Sequence, residues 1–314
     1  MSTLRLPPLP SIGDLLKIYK LKATKNLSQN FLLDCKLQSK LVKMAGNLKG
    51  CHVIEVGPGP GGLTRSIFEQ GANFVHVIEK DARFIPTLEL LKDATQNRLS
   101  IHLGDILKYD LSSLLPTELS QPWDGPIPKS HIIGNLPFNV STPLIIKWLH
   151  EISLKSNAWV HGRVPLTLTF QEEVGQRMSA PPYNIQRSRL SIMCQNWCEV
   201  KHKFIIPGKA FIPKPDVNVC VMHFIPRVTP IINLDFKIVE KVVYAVFSQR
   251  RKHCKRGIGS LFPLHLREKL VPKLLIIADI DETKKPYELS IADFNRLSHS
   301  YVALMEENPS IKKY

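Results

Sequence analysis

Between residues 36 and 178, short apolar runs rich in β-branched residues take turns with amphipathic helical patterns, and this alternation limits the fold more than any other feature of the chain. The spacing predicts helices over 36–48, 63–70 and 85–92, with strands at Val53–Val56, Phe74–Ile78 and Leu99–Leu103 between them. It continues with a strand at His131–Ile133, a helix at Leu144–Ile152, a strand at Leu166–Phe170 and a helix from Glu172 to about Met178. Strands joined through helices pair in parallel, because the helix carries the chain back to the end from which the next strand starts. An α/β fold with a mostly parallel, Rossmann-like sheet is therefore expected. Leu190–Trp197, Lys201–Ile206 and Val217–Phe224 follow as strand-like runs separated by short turns, and predict an antiparallel closure of the sheet edge. Pro226 and Pro230 then interrupt a segment without periodicity, and everything beyond reads as helices. The expected division is a basic amino-terminal arm over 1–27, an α/β domain over 28–225 and a small carboxyl-terminal helical domain over 226–314.

Charge points to the partner. Lys and Arg number 42 against 27 Asp and Glu, a formal net charge of +15. Such an excess favours a polyanion, and nucleic acid over lipid, because cations gain most by displacing counterions from phosphates. The apolar run at Leu144–Leu149 is broken by Lys147 and falls short of the ~20 residues a membrane span needs. The six cysteines form no regular framework, so reduced thiols in an intracellular compartment are expected, and Cys194, Cys198 and Cys220 with His223 read as core residues rather than metal ligands. Up to Leu33 the only acid is Asp14, against Arg5, Lys17, Lys20, Lys22 and Lys25; composition leaves open whether this is an organelle-targeting presequence or a structural basic arm.

The segment from Val53 to Thr64 is a strand running into the glycine turn Gly57, Pro58, Gly59, Pro60, Gly61, Gly62, which opens a helix. Glycines let a ligand approach the backbone, and the helix start offers unpaired N–H groups. Glu79 ends the next strand, where a carboxylate can accept from a ribose diol. By itself the turn also satisfies a dinucleotide spacing. Gly104 and Asp105 after the third strand add a carboxylate for an adenine amino group, and with Glu55, Gly57 and Glu79 favour S-adenosyl-L-methionine as the cofactor.

After the strand His131–Ile133 come Asn135, Leu136, Pro137 and Phe138, again at the carboxyl edge. The N6 lone pair of adenine is delocalised into its ring, so methylating it requires that both amine hydrogens be held while the lone pair turns toward the methyl group. The Asn135 side-chain oxygen and the Leu136 carbonyl can accept those hydrogens, Pro137 stiffens the turn, and Phe138 offers a face for the base. No strong general base is required, because the nitrogen sheds its proton as positive charge develops.

These segments, together with Leu27–Leu32, Gln171–Arg177 and Phe211–Pro215, resemble the ribosomal RNA adenine N6,N6-dimethyltransferases in order and over essentially the whole chain. The resemblance implies an S-adenosylmethionine-dependent enzyme in which Gln29, Asn30 and Leu32 border the methionine end of the cofactor beside Gly57 and Gly59. Glu79 would hold ribose with Lys80 alongside, Asp105 would hold adenine, and Asn135 would touch both cofactor and target amine. Phe138 and Phe211 would sandwich a flipped adenine. Ser28 and Phe138 depart from the Gly and Tyr of many relatives, which removes any hydroxyl contact at 138. Leu6–Pro10 with Leu27–Asp34 look more specifically like the mitochondrial small-subunit branch. That branch implies a monomer in the mitochondrial matrix that acts on small-subunit rRNA in the assembling small ribosomal subunit. The target would be two adjacent adenosines in a hairpin loop near the 3′ end, each methylated twice. A contrasting expectation is a factor bound to the mitochondrial transcription machinery or to ribosome assembly, with dispensable methyl transfer, and the intact Asn135–Phe138 motif argues against it. Arg250, Arg251, Lys252, Lys255 and Arg256, flanking His253, follow a helical pattern and are expected to grip rRNA phosphates. No metal is expected.

Overall fold

The computed structural model describes residues 6, 10–20 and 29–312. Arg5, Lys22, Lys25 and the Leu27–Ser28 part of the amino-terminal motif lie outside the described residues. The described chain begins with a short helix α1 (Ile12–Ile18), whose start is capped by the Ser11 hydroxyl accepting from the Asp14 N–H at 3.1 Å. A two-residue strand β1 (Phe31–Leu32) and helix α2 (Cys35–Lys43) lead into the alternating region. There follow β2 (His52–Val56), α3 (Gly62–Glu69), β3 (Phe74–Glu79), α4 (Ile85–Ala94), β4 (Leu99–Leu103), β5 (Ser130–Gly134), α5 (Phe138–Ser153) and β6 (Leu166–Gln171). Next come α6 (Glu172–Ser179), α7 (Arg189–Trp197), β7 (Cys198–Ile206), β8 (Phe211–Ile212) and β9 (Val219–Pro226).

The main sheet has seven strands in the order β4-β3-β2-β5-β6-β9-β7. Its first five run parallel, as the alternation requires, and β9 pairs antiparallel with β6. Register fixes what matters for function. Val56 lies level with Ile78 on one side and Gly134 on the other, and Glu79 level with Leu103, so four strands end along one edge. Strand order reverses between β2 and β5, which opens a crevice at that edge. Because helices cover both faces, the central strands are apolar throughout: Val53, Ile54, Val75, Val77, Ile132, Ile133 and Leu168 are buried.

Two sequence expectations need correction. Leu190–Trp197 is not a strand; it lies within helix α7. Leu190, Met193, Cys194 and Trp197 recur at helical spacing, and the Ser191 hydroxyl accepts the Ser188 N–H at 2.9 Å at the helix start, a stronger signal than the competing alternation of Leu190, Ile192 and Cys194. The compact units also divide differently from the linear boundary. One unit comprises the described residues up to Gly175 together with Lys201–Val228, the other Gln176–Val200 together with the residues from Thr229 onward. The 176–200 segment belongs with the second unit because Asn196 clasps the Ile232 backbone, its oxygen accepting the N–H at 2.6 Å, and Trp197 packs on Phe236 at 4.7 Å between ring centroids. The rest of that unit is helical: α8 (Phe236–Phe247), α9 (Cys254–Ile258), α10 (Leu264–Ile277), α11 (Ile291–Glu307) and α12 (Pro309–Lys312). Cys194, Cys198 and Cys220 are buried and not in disulfides, and Trp148, Trp159 and Trp197 are core residues.

Candidate active site

A cleft opens at the carboxyl edge of the sheet, and every residue expected to bind cofactor or target base lines it, from Gln29, Asn30 and Leu32 to Asn135–Phe138 and Phe211. Their convergence follows from the strand ends. The turn after β2 supplies Gly57 and Gly59, both in the left-handed region at φ +67° and +52°. Here the turn needs glycine to leave its backbone bare toward the cleft. A Cβ on Gly57 would stand 3.9 Å from the Asn135 carbonyl oxygen, so the β2 and β5 turns face each other across the crevice.

Glu79 at the end of β3 is buried, and its two oxygens accept the Gly59 N–H at 2.9 Å and the Asp81 N–H at 2.8 Å. Burial raises its pKa, opposed by these backbone hydrogen bonds. The carboxylate thus clamps the glycine turn and, with two lone pairs on each oxygen, has acceptor capacity beyond these backbone donors. Beneath it Glu55 is wholly enclosed; burial pushes its carboxyl up to about 8, the Thr64 hydroxyl draws it back in part, and Glu79 adds repulsion. Asp105 after β4 accepts from Lys80 Nζ at 2.8 Å and from the Leu107 N–H at 3.0 Å, and the Lys80 hydrogen bond holds its carboxyl below the ordinary aspartate value. Lys80 thereby pairs with Asp105 at the cleft rim.

Asn135 leaves β5 with its amide held at both ends. Its Nδ2 donates to the Asn30 carbonyl at 3.2 Å, and its Oδ1 accepts from the Thr169 hydroxyl at 3.0 Å. Pro137 caps helix α5, so Phe138 is the first residue of that helix, partly exposed on the cleft wall. Phe211 lies in β8, which pairs antiparallel with β1 so that Leu32 faces Phe211. That small pairing draws the amino-terminal Gln29–Leu32 segment and Phe211 to the same cleft. Phe211 is only 2% exposed, which leaves Phe138 as the more accessible ring.

Several residues in the cleft wall or supporting it escaped sequence reading. Ile12 of α1 lines the cleft and is buried with Leu15, and Arg65 of α3 donates to the Pro10 carbonyl at 2.7 Å. Part of the basic arm is thus a wall of the site. Asp81 accepts from Gln29 Nε2 at 2.9 Å and from Arg83 Nε at 2.8 Å, and the Arg83 hydrogen bonds hold its carboxyl down at about 2. Gln38 of α2 donates to the Leu32 carbonyl and fills the space where a Cβ on Gly62 would fall. Thr169 did carry a signal: a hydroxyl in the apolar run Leu166–Phe170 of a strand covered on both faces must have a partner.

The basic run belongs to the other compact unit. Arg251, Lys252 and Arg256 are exposed, Lys255 is paired with Glu282 at 2.9 Å, and Arg250 is half-buried with Nε and Nη2 enclosed.

A doubly wound sheet, a bare glycine turn at its switch point, and a carboxylate after each of the next two strands are the marks of an S-adenosylmethionine-dependent methyltransferase. The residues fit that cofactor: unhindered backbone lies beside Gly57 and Gly59, and Glu79 and Asp105 offer acceptors spaced along one edge. The family profile described as ribosomal RNA adenine dimethylase matches residues 20–301, and the chain belongs to that family. It is an rRNA adenine dimethyltransferase with S-adenosylmethionine as methyl donor. Among similar proteins, "Dimethyladenosine transferase 1, mitochondrial" of Xenopus tropicalis is 51% identical over 310 residues, covering 99% of this chain and 90% of that one. The Homo sapiens protein of the same name is 50% identical over 314 residues, covering 100% of this chain and 91% of its own. A crystal structure of a dimethyladenosine transferase from Plasmodium falciparum shares the fold, with a TM-score of 0.65 at 21% identity over 86% of this chain and 95% of that one.

Proposed function

We propose that the chain works in mitochondria, in the matrix, where it dimethylates N6 of two adjacent adenosines in the 3′-terminal hairpin loop of the small-subunit rRNA during assembly of that subunit. The observation that carries the chemistry is the Asn135 amide, tied at both ends and set beside Leu136, Pro137 and Phe138 across from the glycine turn. The compartment is supported by relatives of half identity whose names place them in mitochondria.

When bound, S-adenosylmethionine supplies an electrophilic methyl group on a sulfonium. The chain's own residues do the rest. Asn135 Oδ1 and the Leu136 carbonyl accept the two amine hydrogens, which turns the nitrogen lone pair out of conjugation and toward the donor. Phe138 and Phe211 cover the base, offsetting the few kcal/mol lost when it leaves its stack. As the C–N bond forms the methyl–sulfur bond breaks, its electron pair leaving on sulfur as a neutral thioether; the nitrogen becomes cationic and acidic, and its proton passes to water. Repetition on the monomethylated amine, held by its one remaining hydrogen and by stacking, completes the dimethyl product. Radiolabelled methyl transfer to unmodified small subunits, followed by mapping of the modified bases, is expected to give two adjacent N6,N6-dimethyladenosines. Small subunits left unlabelled, or label mapped away from two adjacent adenosines, would overturn the assignment.

The helical unit contributes affinity in this reading. Arg251, Lys252 and Arg256 are exposed and suited to rRNA phosphates, Arg250 and Lys255 less so. Arg251→Glu with Arg256→Glu is expected to weaken rRNA binding and reduce the slope of log affinity against log salt by about 1.5, at roughly 0.7–0.9 per phosphate contact. Filter binding across a salt series measures this, and an unchanged slope would remove the run from the interface.

A further inference from the structure

We propose that Thr169 is a positioning residue for methyl transfer, one that sets which end of the Asn135 amide is oxygen. The inference rests on reading Asn135 as the acceptor for the target amine. A primary amide has nearly the same shape after a half-turn about its last bond, but the half-turn exchanges an acceptor for a pair of donors. Facing an amine, the wrong end would repel what the right end holds. Orientation must therefore be fixed by neighbours.

Asn30 contributes one constraint, because its carbonyl can only accept and so selects the nitrogen at 3.2 Å. Thr169 contributes the other, and for a less obvious reason. A hydroxyl can donate or accept, so a threonine alone would tolerate either orientation. This one also accepts the Leu136 N–H, at 3.0 Å. Its proton is then left to donate to Asn135 Oδ1, also at 3.0 Å. Thr169 is 0% exposed, so with the amide reversed its proton would be buried without that acceptor while two oxygens faced each other at Asn30. Register supports the arrangement: Gly134 on β5 lies level with Leu168 on β6, which brings the next residue of each strand within reach of the other.

The same hydroxyl reaches the second acceptor of the site. It ties the Leu136 N–H, and Pro137 confines Leu136 to extended backbone, so the direction of the Leu136 carbonyl is set from both sides. One buried group thus orients both acceptors without itself touching the base.

The test compares Thr169→Val, Thr169→Cys and Thr169→Ser in the full chain. Valine keeps the shape and loses the hydroxyl, cysteine keeps a weak donor, and serine keeps the hydroxyl. Single-turnover methyl transfer is expected to fall by about 10²-fold in the valine variant, less in cysteine, and to recover to within a few-fold in serine, the scale of a modest misplacement of reacting groups. S-adenosylmethionine affinity, measured by calorimetry, is expected to fall far less than the rate, whereas a purely structural role would lower thermal stability without this rate order. If valine does not fold, cysteine against serine decides. A hydroxyl-free variant with the wild-type rate, or a serine variant as slow as valine, would overturn the inference. Asn135→Ala separates the two levels: if it is inactive while Thr169→Val is fully active, only the role of Thr169 falls; if it is itself active, the reading beneath falls.

Discussion

Asn135→Ala is expected to reduce methyl transfer by at least ~10³-fold while rRNA affinity changes by less than about twofold. The first figure combines the loss of a preorganised acceptor, worth about 10²–10³ by itself, with the loss of positioning in a step that depends on lone-pair direction. These losses overlap, so they do not multiply in full. The second figure reflects where affinity comes from, namely phosphates met by exposed cations, not a single amide in a cleft. The alanine also releases the Asn30 carbonyl and the Thr169 hydroxyl, both held by Asn135, so some loosening of the Gln29–Leu32 segment accompanies it. Single-turnover assays beside filter binding separate the effects, and turnover within tenfold of wild type would exclude this residue from the chemistry.

Glu79→Ala is expected to raise the dissociation constant for S-adenosylmethionine by about 10²-fold. The carboxylate is proposed to accept from the ribose, but it also holds the Gly59 and Asp81 N–H groups at 2.9 and 2.8 Å. Removing it leaves buried donors unpaired, at about 1–3 kcal/mol each, and each 1.4 kcal/mol is tenfold in affinity. Glu79→Gln, which keeps one acceptor oxygen, is expected to fall between the two. Calorimetric titration measures both, and an alanine variant that binds within threefold of wild type would show that neither the clamp nor the ribose contact matters.

Local order made much of this readable along the chain. The alternation of strands and helices fixed a parallel sheet, because each crossover returns the chain to one edge. Gly57, Glu79, Asp105 and Asn135 each lie at or just beyond the carboxyl end of a strand, so their meeting at that edge is a consequence of connectivity. At Leu190–Trp197 two periods compete, and a strand was expected where a helix formed; Trp197 packs on Phe236 and Asn196 holds the Ile232 N–H, contacts that add to the helical spacing and that no local period displays. The boundary expected at 226 lies close to Thr229, where the second unit resumes, but no linear reading shows that the 176–200 segment joins residues that follow it at a distance.

The residue order thus settles the fold class, the edge at which chemistry occurs and the kind of nucleophile it serves, since all three depend on neighbours a few positions apart. The orientation of the working groups does not follow from it. Asn30 meets Asn135 across 105 positions, Thr169 meets it across 34, and β1 pairs with β8 from the far end of the catalytic unit, Leu32 against Phe211. Hydrogen bonds of that kind carry no local pattern, because either partner would look the same if the other were absent. Packing of the complete sheet brings them within 3 Å or so, and from that point a flat, nearly symmetric amide has one favoured direction.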